Sequence, residues 1–199
     1  MLRLDAVNRI LVSAQMPTVT TLSSPDRLVA KAITILDDTV LRELERGWDF
    51  NTDYNYELTP TASEFIIPTT PWSVLALDIR RENSYGKDIV VRDGKLWDRT
   101  NHTDTFTEST IKADITWDID FDNCPLVFQE YAVACACVRF AGEVSVDPQI
   151  VQQLRVNEAR AWQALKQRDT QQSETTQYDR WPLNEVSRRW PRIQPGRSS

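Results

Sequence analysis

Residues 126–141 constrain the fold more than any other stretch: thirteen of the sixteen positions are apolar or aromatic, and only Gln129, Glu130 and Arg139 are polar. At helical spacing such a segment has no face to give to water and must be covered on every side. It is also well short of the ~20 residues needed to cross a bilayer. The chain therefore has to build a bundle around one central helix, introduced by Asn123-Cys124-Pro125 and closed at Gly142.

Three other segments have the pattern to cover it. From Asp5 to about Gln15, Val7, Ile10, Leu11 and Ala14 mark one face of a short helix that Met16-Pro17 ends. Ser24-Pro25-Asp26 supplies a capping hydroxyl and an N-terminal proline, and Gly47 closes the run. Between them Leu28, Ala32, Ile35, Leu36, Val40 and Leu44 keep helical spacing. Asp147-Pro148 opens a last helix with Ile150, Val151, Leu154, Ala161, Trp162 and Leu165 on one face and Gln152, Arg155, Arg160 and Lys166 on the other. One of these three is short, so a neighbouring subunit is expected to help bury the central helix. Phe128, Tyr131, Val138 and Phe140 are the candidate interface residues.

Between Gly47 and Asn123 the texture changes. Trp48–Tyr56 alternates aromatic with polar, and Ile111, Ala113, Ile115 and Trp117 alternate strictly with Lys112, Asp114 and Thr116, the period of a half-buried strand. Shorter candidates are 65–67, 74–79, 89–92 and 96–98. Arg92-Asp-Gly-Lys95 is a two-residue hairpin signal. The expected class is α+β: an antiparallel bundle from residues 1–47 and 123–170, an inserted antiparallel β-domain at 48–122, and an extended C-terminal arm at 171–199.

The residues available for chemistry are few. There is one histidine, His102, in a polar loop with no nucleophile in a recognisable pattern. The three cysteines are Cys124, Cys135 and Cys137, and the last two point about 200° apart on a helix, which suits core packing better than a shared metal. Gly86, Gly94 and Gly142 stand alone, so no phosphate-cradling loop is present. Asp78, Asp93, Asp98, Asp104, Asp114, Asp118, Asp120 and Asp122 are scattered over strands and turns, which a solvated face explains. No catalytic residue, metal site or cofactor is expected, and the product of this chain reads as a surface.

Charge is divided along the chain. The net −6 consists of −10 over residues 1–179 and +4 over 180–199. An acidic body argues against a nucleic-acid or membrane binder. The periodicity ends near Asp169 in a polar linker, and beyond it stand Arg180, Trp181, Arg188, Arg189, Trp190 and Arg192, with Pro182 and Pro191. Trp and Arg carry interface hot spots, so this arm reads as a docking peptide rather than a disordered tail. Met1 to Met16 is broken by Asp5, Asn8 and Arg9, so no secretory signal is visible and the protein is expected to be made in the cytosol.

Several strings resemble the tail tubular protein A family, the head-to-tail adaptors of short-tailed phages (podophages). They are Ala6-Val-Asn8 with Ile10-Leu11 and Pro17, Arg46-Gly47-Trp48 with Phe50-Asn51, and Trp97-Asp98-Arg99-Thr100 followed by Asp104 and Phe106. The likeness covers roughly residues 5–170. It implies a non-catalytic virion protein in the phage tail, made in the host cytoplasm. That protein would form a dodecameric ring between the portal protein and the nozzle, tail tubular protein B, with tail fibres at the β-rich rim and double-stranded DNA passing through unbound. The six arm residues named above are then portal-docking candidates. Two other classes stay open: a carbohydrate-binding or polysaccharide-degrading tail component using the Trp- and Asp-rich 48–122 region, and a cytosolic scaffold unrelated to phage.

Overall fold

In the computed structural model, which describes residues 1–80, 84–144 and 147–180, the order is α1 (Arg3–Ser13), α2 (Arg27–Leu44), β1 (Thr52–Leu58), β2 (Ser73–Asp78), β3 (Ile89–Arg92), β4 (Lys95–Asp98), β5 (Ile111–Asp118), α3 (Leu126–Glu143) and α4 (Pro148–Arg180). The class is α+β, as the periodicities require. α3 sits among α1, α2 and α4, all of which pack on it. Its small residues Ala132 and Ala136 are fully buried, which lets those neighbours approach closely.

The polar residues of α3 are accommodated individually. Gln129 is buried and donates through Nε2 to the Phe121 carbonyl at 2.7 Å. Arg139 reaches across to α2 and donates to Thr39 Oγ1 at 2.6 Å. Glu130 faces solvent, as does Glu143 at the helix end, where it pairs with Lys31 of α2 at 2.8 Å.

Phe128, Tyr131 and Phe140, expected at a subunit interface, are 0%, 6% and 0% exposed inside their own chain. The reason is that Trp48, Phe50 and Trp162 come in from the connecting segment and from α4 to cover Phe128 and Tyr131. Three helices plus a cluster of rings suffice where three helices alone would not. Val138 is half-buried and remains as the one partly open member of that set.

Several boundaries move for local reasons. The N-cap of α2 is Asp26, whose carboxylate accepts from the Leu28 N–H at 2.8 Å, so Ser24 and Pro25 precede the helix. This shortens α2 to 18 residues. Gly142 lies within α3, which ends a residue later at Glu143. The largest difference is α4: it does not stop near Asp169 but continues as helix to Arg180, 33 residues in all. Its second half has lost apolar periodicity, yet it contains no Gly or Pro before Pro182 and is rich in Gln, Glu and Arg, which favour helix.

The β-region is a three-stranded antiparallel sheet in the order β1-β5-β2 and a separate β3-β4 hairpin. β5 is central, and Ile111, Ala113, Ile115 and Trp117 are all buried. The hairpin closes through Asp93 and Gly94, both at positive φ, as a two-residue turn with primed geometry demands. Trp48–Asn51 is not strand: residues 49–51 form one short 3-10 turn before β1 begins. Residues 65–67 contribute a single bridge, Ile66 to Lys95, rather than a strand. Helical and β residues belong to one continuous hydrophobic cluster.

Candidate functional site

The string Arg46-Gly47-Trp48-x-Phe50-Asn51 forms the joint between helix and sheet. Gly47 turns the chain at φ +70° where α2 ends. Trp48 then folds back, its Nε1 donating to the Glu43 carbonyl at 2.7 Å, and its ring meets Trp162 of α4 edge-on at 5.5 Å. Asn51 ties three elements together. Its side-chain amide donates to the carbonyls of Leu44 and Trp117, each at 3.0 Å, and its Oδ1 accepts from the Trp48 N–H at 2.8 Å. The Leu44 carbonyl, at the end of α2, also accepts from the Gly47 N–H at 3.1 Å, so Asn51 adds a second bond to the helix end and links it to β5.

α4 is locked to the same joint. Arg46 pairs with the buried Glu43 at 2.8 Å and lays its guanidinium over the Trp162 ring at 5.3 Å. The Asp169 carboxylate accepts from the Asp49 N–H at 3.0 Å. From the sequence, Trp162 stands only on an apolar helix face and Asp169 only where the periodicity ends, and Glu43 has no signal at all. A half-turn motif has no visible link to a residue 120 positions away.

The second string, Trp97-Asp98-Arg99-Thr100, folds the far loop. Asp98 is 1% exposed and so not part of a solvated face. Its carboxylate accepts from the N–H groups of Thr100 at 2.8 Å and Asn101 at 3.2 Å, and from the Asn101 side chain at 2.8 Å. Burial pushes its carboxyl up, but those hydrogen bonds outweigh burial and hold it below the usual carboxylate range. Arg99 pairs with Asp88 at 2.8 Å, Arg92 lies over the Trp97 ring, and Phe106 is buried against Phe65. Two more aspartates are similarly committed: Asp114 accepts from the Asn55 N–H and pairs with Arg80, and Asp53 accepts from Trp117 Nε1. In the first string, Asn8 grips the Val19 backbone through both its N–H and its carbonyl, fixing the chain after Pro17.

No pair of these side chains is set up for nucleophilic chemistry among the described residues. The thiols of Cys124 and Cys135 are pushed up to about 12, by burial first, then for Cys124 by Asp120. Burial raises the Tyr131 phenol and the Cys137 thiol as well. The residues that carry the resemblance thus set geometry: they fix how the sheet and α4 leave the bundle.

A family model described as tail tubular protein matches residues 4–178. This chain belongs to the tail tubular protein family. It is thereby a structural protein of a phage virion tail, a member of an oligomeric tail complex, and the reading as a scaffold unrelated to phage is withdrawn. No curated protein matches the sequence significantly. The match ends two residues before the end of α4. Of the docking candidates, Arg180 is the last residue of α4, whereas Trp181, Arg188, Arg189, Trp190 and Arg192 lie outside the described residues. Among the described residues no helix is long and apolar enough to cross a membrane.

Proposed function

We propose that this tail tubular protein is the head-to-tail adaptor of its phage. Twelve copies form a ring below the portal protein and above the nozzle, tail tubular protein B, with the β-region at the rim where nozzle and fibres attach. The genome passes through the ring without being bound.

The observation that carries this reading is α4. At ~1.5 Å per residue its 33 residues span about 50 Å, against about 27 Å for the 18 residues of α3. α4 is tied to the joint at Asp169 and continues as helix for eleven residues more, so Arg180 stands about 16 Å along the helix from that tie, and the basic, Trp-bearing segment follows it in sequence. A long helix that leads in sequence to a segment rich in Arg and Trp suits a protein that must grip a second ring. Charge supports the conduit: a channel the length of α3 faces on the order of 16 phosphates at one per ~1.7 Å, and a body of net −10 repeated around it repels them.

Deleting residues 181–199 is expected to abolish portal docking while leaving the melting temperature of the body unchanged. Cosedimentation with purified portal measures the first and circular dichroism the second. Retained docking by the truncated chain, or a lumen lined mainly by Arg and Lys in images of the complex, contradicts the proposal.

A further inference from the structure

We infer that the joint is a coupling element: a partner that immobilises the far end of α4 also stiffens the β-region, through Asp169, the 49–51 turn and Asn51. The first N–H groups of a helical turn have no acceptor within it. In the 49–51 turn the leading N–H is that of Asp49, and its acceptor is the carboxylate of Asp169 at 3.0 Å, 120 positions away on α4. A local turn is thus capped by a remote helix, and its order depends on where that helix lies.

The route onward is short. Two residues after Asp49, Asn51 donates to the Leu44 carbonyl of α2 and the Trp117 carbonyl of β5, and β1 starts at the next residue, Thr52. Trp117 is held a second time, its Nε1 donating to Asp53 Oδ2 at 2.8 Å, so β1 and β5 are both pinned to the turn. On the other side, Leu165 anchors α4 one turn before Asp169. Asn51 and Leu165 are 1% and 3% exposed, whereas Asp169 is half-buried, so its bond to Asp49 is the link that opens most readily. Linkage then runs both ways: a partner on the end of α4 favours the ordered sheet, and a partner gripping the sheet favours the tied α4. The identity of those partners, portal and nozzle, rests on the adaptor reading above.

The test is amide hydrogen exchange on the full chain. In the free protein, Asp169→Ala is expected to speed exchange of residues 49–58 and 111–118 roughly tenfold, the loss of one charge-assisted bond. Exchange in α1, which packs on α2 and α3, is expected to stay unchanged. Asp169→Asn keeps an acceptor oxygen in place and should retain the wild-type pattern. With the portal of the same phage bound, the same two segments should slow in wild type and in Asp169→Asn but not in Asp169→Ala, whose portal affinity stays that of wild type. Exchange in Asp169→Ala that is unchanged, rises only at Asp49 or rises equally throughout the chain overturns the inference, as does equal protection by the portal in Asp169→Ala and wild type. A wild-type chain that never binds the portal overturns the adaptor reading, and the free-chain comparison then decides the coupling by itself.

Discussion

At Gly47 two demands coincide: the backbone lies at φ +70°, and a β-carbon there would stand 3.3 Å from Thr52 Oγ1 and 3.4 Å from Thr116 Oγ1. Gly47→Ala is therefore expected to cost about 1–2 kcal/mol of stability in urea unfolding, from strain together with a crowded joint. Two aspartates give a paired test in which one substitution has opposite signs. Burial, reinforced by Asp120, raises the Asp118 carboxyl, so the folded chain binds that proton more tightly than the unfolded chain. Stability from this site is lost as pH rises through the raised value, and Asp118→Asn should melt higher than wild type at pH 7, the gap closing below about pH 4. The Asp98 carboxyl is lowered, so its contribution is present above the ordinary value and lost as pH falls through the folded one. Asp98→Asn should melt lower at pH 7. Of these residues the sequence exposes only Gly47, as a helix stop. The buried role of Asp98 has no period or composition behind it, since a capping carboxylate and a solvated one look the same in a string.

Among the elements, α3 was legible from hydrophobicity alone and α4 only in its first half. Where a helix buries a face, the face imprints a period; the second half of α4 carries no such period, and only the lack of Gly and Pro up to Pro182 betrays that it continues. β5 and the Asp93-Gly94 hairpin were legible for the same reason, one by alternation and the other by its two-residue turn. The joint was half legible: its string stood out, but its contacts with α4 join residues far apart in sequence. Phe128 measures how much the joint depends on α3, for it is fully buried and meets Trp48 at 6.4 Å and Phe50 at 5.1 Å. Phe128→Ala is expected to cost about 3–5 kcal/mol in denaturant unfolding, among the largest effects of any single truncation here.

For the whole molecule, the divided charge makes a prediction about nucleic acid. The chain truncated after residue 179 carries net −10, and it should show no measurable retention of duplex DNA at 50 mM salt, where any counterion-release binding would be strongest. The same body is built to tolerate a change of surroundings. A virion tail has to persist in oxygenated water. Its three cysteines are all buried and unpaired, two with thiols pushed up to about 12, so almost none of the reactive thiolate exists at neutral pH. The folded protein should resist alkylation by iodoacetamide until denaturant is added. A particle made of such subunits can then outlast long exposure to air without its tail becoming cross-linked through sulfur.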